Sequence, residues 1–282
     1  RMRYADFLIL AKDYKSLQAE AQAMAQMDKA NKRILRYLAY AAYENGDYTS
    51  SIQAIKDFMA KVEPKRVIGR DYSYLGRALI KSGQEEEGFQ TVKKALAIDS
   101  SLVSGMSDLG KELYSLKKYS KAAEAYELAV KNPQRNLLDY FYLGSSYYFD
   151  YGAKKTAGLE ADKSLLAKAD SAFSYLAQRS PNTFAAWQFR GRINRQFDDA
   201  NDSQGLAVPF YEKYVELVTV TKPELAAKNG TGLIEAYIYL GSVVARKDKD
   251  IEKAKEYFNK VLAIDPANAI ALEVLKALGT TK

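Results

Sequence analysis

The sequence predicts an all-α fold, a right-handed α–α superhelix of about seven helical hairpins that ends in a capping helix. The main observation is a recurring Leu-Gly pair that begins at Leu75, Leu109, Leu143 and Leu240. The first three pairs are 34 residues apart, and a fixed period of this length indicates one supersecondary unit stacked on copies of itself. Around each pair, apolar residues at helical spacing alternate with short polar turns, which predicts a helix A, a turn and a helix B.

Taken in order along the chain, seven hairpins and a cap helix account for almost every residue. They are expected at residues 2–30, 31–66, 69–101, 102–135, 136–181, 182–220 and 223–266, with the cap helix at 268–278. We interpret residues 1–282 as one domain of this kind. The period is stretched by an insertion at 150–166, a polar loop at 198–205 and a long connector at 219–231. Insertions of this kind map to loops and often contact ligands.

The glycine of each Leu-Gly pair predicts close packing between the two helices of its hairpin. A glycine inside a helix costs about 1 kcal/mol relative to alanine, so a recurring one needs a compensating contact. Helix B supplies it, and we expect an aromatic residue of helix B, such as Phe173 or Tyr211, to fill the space beside the glycine.

Composition excludes several classes of chemistry. The chain has no cysteine and no histidine, which removes thiol catalysis, zinc sites built on these residues and every nucleophile–histidine pair. The 42 basic and 35 acidic residues are interspersed, which is weak support for a nucleic-acid partner. No apolar run is long enough to span a membrane. Because Arg1 opens directly inside an amphipathic helix, we expect a mature or trimmed fragment.

Two stretches carry the most specific pattern. One contains Trp187 and Gly191, followed by Ala207 and Tyr211, and the other runs through Tyr237, Leu240, Gly241, Ala254, Phe258 and Pro266. This pattern resembles the tetratricopeptide repeat. The spacing of the repeats and the residue strings within them are similar to those of repeat proteins from Bacteroidetes-type bacteria, many of which are exported. The resemblance implies a non-catalytic scaffold without cofactors that binds a peptide or protein partner. It favours a periplasmic or exported location over a cytoplasmic one, and it leaves the oligomeric state open.

In such a stack helix A lines the concave groove, so its side chains that do not pack on helix B are the candidate contacts. They are aromatic or basic, and Tyr and Arg are the residue types that most often anchor interfaces. A partner with acidic or aromatic side chains would suit them. About half of the tyrosines are expected to be buried, with the basic residues more exposed. The predicted partner-binding residues are Arg36, Tyr40, Tyr43, Tyr74, Arg77, Lys111, Tyr114, Phe141, Tyr148, Arg192, Arg195 and Arg246.

Other functions are weaker alternatives. A carboxylate enzyme acting on glycans would need paired Asp or Glu residues, and a purely architectural or self-associating module would need no groove. Single-stranded nucleic acid could stack on the aromatic residues, but the scattered acids disfavour it. The two-carboxylate clamp of some tetratricopeptide repeats is absent, because Ser104 and Asp108 stand at two of its positions. Asp199, Asn201 and Ser203 imitate a calcium loop, although a capped turn explains them better.

Overall fold

In the computed structural model, which describes residues 1–28, 31–133 and 135–280, the chain is built of α-helices and shorter helical turns, with no β-strand in those ranges. The predicted all-α helical-repeat class is confirmed. The chain divides into two compact units, Arg1–Leu109 and Gly110–Lys282, which are described separately. The predicted end of the first hairpin at residue 30 lies outside the described residues. The hairpin boundaries, the single domain and the right-handed superhelix stay predictions.

Unit 1 consists of helices, most of which pack on the next one along the chain. Its helices are α1 (Met2–Leu10), α2 (Tyr14–Met27), α3 (Arg33–Glu44), α4 (Tyr48–Lys61), α5 (Gly69–Lys81), α6 (Glu85–Ile98) and the beginning of α7 (Met106–Ser115). Short 3₁₀ turns at Pro64–Arg66 and Ser100–Gly105 connect α4 to α5 and α6 to α7. Buried side chains such as Leu17, Tyr37 and Phe58 fill the space between the helices.

Unit 2 continues with the end of α7 and eight further helices. These are α8 (Tyr119–Ala129), α9 (Leu137–Thr156), α10 (Ser164–Arg179), α11 (Phe184–Arg195), α12 (Val208–Glu216), α13 (Gly230–Val243), α14 (Ile251–Ile264) and α15 (Ala269–Thr280). Tyr211, Tyr214 and Phe258, all fully buried, lie in the core between α12, α13 and α14. Ala271 of α15 is also buried there, so α15 covers the end of this core.

The hairpin turns use residues in the left-handed backbone region. Gly46 and Gly83 have φ values of 85° and 90°, and Lys117 and Lys249 occupy equivalent positions at 58° and 56°. A residue with a Cβ adopts this conformation at a cost of about 1 kcal/mol or more. Glycine therefore fits the first two turns without strain, whereas the lysine turns are held by the helices that they connect.

The close approach predicted from the Leu-Gly pairs is confirmed in unit 2. A Cβ added to Gly144 would lie 2.8 Å from the ring of Phe173, and one added to Gly191 would lie 2.8 Å from the ring of Tyr211. Gly110 has the same relation to Tyr126. These distances are shorter than any carbon–carbon contact in a packed core allows. In unit 2 the recurring glycine is thus required by the aromatic ring of helix B, whereas a Cβ added to Gly76 of unit 1 would meet Val92 and Gly88 instead.

The inserted segment lengthens a helix before it forms a loop. Because α9 extends to Thr156, residues 150–156 of the predicted insertion at 150–166 form additional helical turns. An ion pair of 2.9 Å between Lys154 and Asp150, four residues apart, supports this extension. The long connector after α12 is also mostly helical, with a π-helical turn at Leu217–Thr221 followed by 3₁₀ turns at Pro223–Leu225 and Ala227–Asn229.

Candidate partner-binding surface

Arg36 is bound inside unit 1. Its Nε donates to Oδ1 of Asp71 at 2.8 Å, and one terminal nitrogen donates to Oδ2 at 2.7 Å and to the carbonyl oxygen of Arg66 at 2.8 Å. Asp71 is fully buried and also accepts a hydrogen bond from the Tyr40 hydroxyl at 2.7 Å. Burial and the Asp71 carboxylate raise the pKa of Tyr40 well above its usual range. Arg36 and Tyr40 therefore hold α3 against α5, and their role as partner contacts stays a prediction.

Tyr74 and Arg77 form the partly exposed part of the predicted surface in unit 1. The Tyr74 ring stacks on Tyr40 with centroids 4.1 Å apart, and its hydroxyl donates to Glu44 at 2.8 Å. The Arg77 guanidinium lies 4.9 Å from the ring centroid of Tyr43, which is only 6% exposed. The buried Nε of Arg77 has no hydrogen-bond partner in the described residues. The Tyr43 ring thus packs against the Arg77 guanidinium, and Tyr74 and Arg77 are partly exposed.

The largest group of half-buried aromatic side chains lies in unit 2, and we call it the aromatic surface. Its members share partial exposure and mutual ring contacts at 5.3–6.2 Å. They come from α7, α8 and α9. The aromatic surface consists of Tyr114, Tyr119, Phe141, Tyr142, Tyr148 and Phe149.

Three predicted residues, Tyr114, Phe141 and Tyr148, belong to the aromatic surface, and Phe189 supports it from α11. Phe189 is 8% exposed and lies 5.3 Å from Tyr148 and 5.9 Å from Phe141, measured between ring centroids. Lys111 is exposed and precedes Tyr114 by one helical turn on α7. The structure therefore brings together aromatic residues that are far apart in the sequence and leaves one lysine beside them.

The charge of Arg192 is neutralised by a carboxylate of the next hairpin. Its Nε and one terminal nitrogen donate to Glu235, with the shortest distance 2.6 Å, and the Tyr211 hydroxyl donates to the same carboxylate at 2.7 Å. Burial and Glu235 raise the pKa of Tyr211 beyond its usual range, so its hydroxyl stays a donor. Burial also raises the pKa of the neighbouring Tyr148. Arg192 thus borders the aromatic surface as half of an ion pair.

Arg195 and Arg246 both hold the polar loop between α11 and α12. Arg195 pairs with Asp202 at 3.1 Å, and Arg246 donates to the carbonyl oxygen of Asn201 at 2.9 Å. Both arginines are exposed, but their guanidinium groups serve this loop. Their interactions bind the loop to α11 and to the turn after α13.

The carboxylates of the polar loop accept hydrogen bonds from the loop itself. Asp198 accepts from the backbone N–H groups of Asp199, Gln204 and Leu206 at 2.9–3.1 Å. Asp199 accepts from the hydroxyl and the backbone N–H of Ser203, which lowers its pKa. This is the predicted capped turn. Within the described residues no three acidic side chains converge as metal ligands would.

The acidic partners of the arginines were not predicted from the sequence. Asp71 follows Arg36 by 35 residues and Glu235 follows Arg192 by 43, so each acid lies on helix A of the following hairpin. An acid about one repeat length after a helix-A arginine was therefore the available signal. It was not used because basic residues were expected to be exposed.

The aromatic surface can supply apolar contact area together with the hydroxyl groups of its tyrosines. Rings of this size provide large apolar contact, and hydroxyl groups of tyrosine add hydrogen bonds at little entropic cost. Burial raises the pKa of Tyr114, so that its hydroxyl, like that of Tyr148, remains a neutral donor at physiological pH. No helix within residues 1–28, 31–133 and 135–280 has the length and apolar composition needed to cross a bilayer.

Comparison with known proteins gives a consistent assignment. Residues 234–268 match the sequence profile of the tetratricopeptide repeat, and no curated protein matches the chain. A solved structure of the C-terminal part of a tetratricopeptide repeat-containing protein from Cytophaga hutchinsonii is similar to this chain. It has 26% sequence identity and a TM-score of 0.64, and the match covers 98% of this chain and 99% of that one.

A more distant structure in the comparison is that of YrrB, described as a TPR protein with an unusual peptide-binding site. It has 18% sequence identity and a TM-score of 0.45, and the match covers 80% of this chain and 99% of that one. The profile match, the Cytophaga structure and the repeated glycine–aromatic packing all give the same assignment. The chain is therefore a helical-repeat protein similar to tetratricopeptide repeat proteins, with residues 234–268 matching one such repeat.

Proposed function

We propose that this chain is a non-catalytic protein-interaction scaffold, and that it binds a peptide or protein partner on the helix-A side of its hairpins. The observation that carries the proposal is the aromatic surface of unit 2, where six aromatic side chains remain partly exposed in one connected group. A contiguous group of this kind on a protein surface commonly marks an interaction site. Tyr74 and Arg77 are the corresponding candidates in unit 1.

The charges around the aromatic surface favour a partner bound mainly through apolar and aromatic contact. Arg192 is neutralised by Glu235 at 2.6 Å, so it does not attract an acidic residue as a free arginine would. Lys111 remains exposed beside Tyr114 and can contact one carboxylate. The partner segment therefore needs an aromatic or large apolar side chain for the aromatic surface, with any acidic residue at its edge.

The environment of the buried carboxylates supports a non-catalytic role. A glycan-acting enzyme needs one carboxyl group as general acid and a second as base or nucleophile. Among the described residues the buried acids are Asp71, Asp139, Asp150 and Asp202. Each is committed to an arginine, a lysine or a backbone N–H group.

The proposal is tested with a peptide selected against the chain itself. A random peptide library is panned on the purified protein, and the dissociation constant of an enriched peptide is measured by fluorescence anisotropy. Tyr148→Ala should weaken binding by about 30-fold or more, the loss typical of an interface anchor. Tyr140→Ala is the matched control, because Tyr140 is a partly exposed tyrosine on the same helix that stacks on Tyr175 at 4.1 Å, outside the aromatic surface.

Tyr140→Ala should leave the dissociation constant unchanged. The proposal fails if panning enriches no peptide, or if Tyr148→Ala and Tyr140→Ala affect binding equally while circular dichroism shows that both variants are folded.

A further inference from the structure

A basic cavity lies in unit 1 at the end of the hairpin where α3 begins and α4 ends. Its volume is about 590 Å³, within the range of ligand-binding clefts. Among the residues that the structure describes, five cationic side chains line it and no Asp or Glu does. They are Lys32, Arg33, Arg36, Lys65 and Arg66. Helix α3 also directs its positive N-terminal dipole to this end of the hairpin.

The cations of the cavity differ in how much of their charge is available. Arg36 forms an ion pair with the fully buried Asp71, so its charge is already neutralised. The ion pairs of Arg33 with Asp6 and of Lys65 with Glu63 are solvent-exposed, with at least 45% of each side chain accessible. Such exposed pairs are weak and exchange readily for another carboxylate. The Arg66 guanidinium forms no ion pair with any residue that the structure describes. Arg33, Lys65 and Arg66 can therefore receive an incoming anion.

Apolar side chains also line the cavity. Phe58, Val62 and Ile68 are among them, and Ile68 is 45% exposed. An exposed isoleucine inside a cavity gains free energy when an apolar ligand group covers it. The ligand that fits best therefore carries negative charges around an apolar group.

The same surface disfavours a nucleic acid. Bases bind non-specifically by stacking on exposed aromatic rings. The one aromatic ring in the lining, that of Phe58, is 3% exposed and is covered by the Arg36 guanidinium at 4.4 Å. The cavity offers cations and aliphatic groups but no ring for a base.

We infer that this cavity binds an acidic peptide segment in which aspartate or glutamate residues flank one apolar side chain. The inference rests on the proposed scaffold function and names a second contact and its chemistry. The carboxylates meet Arg33, Lys65 and Arg66, and the apolar side chain covers Ile68. The cavity shares no residue with the aromatic surface, because every lining residue belongs to unit 1.

The probe for this site is a short fluorescein-labelled peptide in which one leucine is flanked on both sides by glutamates. Its control has glutamine in place of each glutamate. Anisotropy with the full chain should show binding of the acidic peptide only, and binding should be lost near 1 M salt, where the Debye length is about 3 Å. The double variant Lys65→Glu with Arg66→Glu should weaken binding by about tenfold or more.

A matched double variant controls for net charge. Lys15→Glu with Lys93→Glu changes the charge by the same amount on exposed unit 1 positions outside the cavity, and it should retain most of the binding. Ile68→Ser should weaken the acidic peptide without changing the salt dependence, because it removes apolar contact and no charge.

Several results overturn the inference. One is equal weakening by the two double variants, which would indicate only general charge attraction. Tighter binding of an oligothymidine or of phosphatidylserine vesicles than of the peptide, lost in Lys65→Glu with Arg66→Glu, would reassign the cavity to those anions. Because Tyr148→Ala leaves the cavity intact, it should not alter binding of the acidic probe. Failure of this site is thereby distinguished from failure of the aromatic surface.

Discussion

Replacing Arg36 by methionine should destabilise unit 1 strongly, because it leaves the Asp71 carboxylate buried without its counter-ion. The substitution removes two charge-assisted hydrogen bonds to Asp71 and one to the carbonyl oxygen of Arg66, each with a net contribution of about 1.5–3 kcal/mol. Asp71 keeps only the Tyr40 hydroxyl and the backbone N–H of Ile68 as donors. Removing one partner of a buried pair costs about 3–5 kcal/mol in measured cases, and we expect a loss in that range. Methionine is of similar length and uncharged, so the loss reports on the charged guanidinium, including its contact with the Phe58 ring at 4.4 Å.

The assay is urea unfolding followed by far-ultraviolet circular dichroism, with hydrogen exchange of unit 1 amides as a local readout. The single tryptophan, Trp187, lies in unit 2, so its fluorescence would miss the effect. Arg33→Met is the matched control on the same helix. Its pair with Asp6 is 51% and 45% exposed, and the expected loss is below about 1 kcal/mol.

Adding Asp71→Asn to Arg36→Met removes the stranded charge and should recover part of the lost stability. The reasoning is refuted if Arg36→Met costs no more than Arg33→Met, or if the added Asp71→Asn lowers stability further.

Three other predictions concern packing, a turn and pH. Gly144→Ala should lower the free energy of unfolding by about 1–3 kcal/mol, because the new Cβ meets the Phe173 ring. Gly152 on the same helix has open space beside it, so Gly152→Ala should raise the free energy of unfolding by about 1 kcal/mol. Urea unfolding compares the two variants, and equal effects would contradict the packing argument. Lys117→Gly should raise the thermal midpoint, because glycine adopts the φ of 58° without strain; an unchanged or lower midpoint would count against strain in that turn. Burial raises the pKa of Tyr37, Tyr214 and Tyr239 from 10.0 to about 12. Their contribution to stability is therefore complete below pH 10 and is lost as the pH rises towards 12, since the unfolded chain releases these protons first. Thermal unfolding monitored with tyrosinate absorbance should show this fall, and a constant midpoint across that interval would contradict it.

The helical-repeat class and its packing rule could be predicted from the sequence because both are local or periodic. The Leu-Gly period specified the repeat, and the glycine beside Phe173 or Tyr211 followed from the cost of glycine in a helix. The close contacts of Gly144 and Gly191 show that a glycine required by helix packing can be identified from the sequence alone.

The candidate site was only partly predictable, because exposure depends on partners in neighbouring hairpins. The aromatic residues Tyr114, Phe141 and Tyr148 were identified from helix phase and do lie partly exposed. For Arg36 and Arg192 the expectation of free charge ignored acids one repeat later. A helical projection gives the direction of a side chain but not the residue that meets it.

The insertion illustrates a second limit. Residues 150–156 continue α9 because the sequence there keeps helix-compatible residues and an Asp150–Lys154 pair. A break in the repeat period was interpreted as a loop, although a period can be stretched within a helix as well as between helices.

Contact between a partner and the aromatic surface can be detected by site-specific photo-crosslinking. p-Benzoylphenylalanine is placed at position 148 or at position 140 of α9, with the library-selected peptide as ligand. Irradiation should attach the peptide at position 148 and not at position 140. Attachment at position 140 alone, or equal attachment at both positions, would contradict this contact.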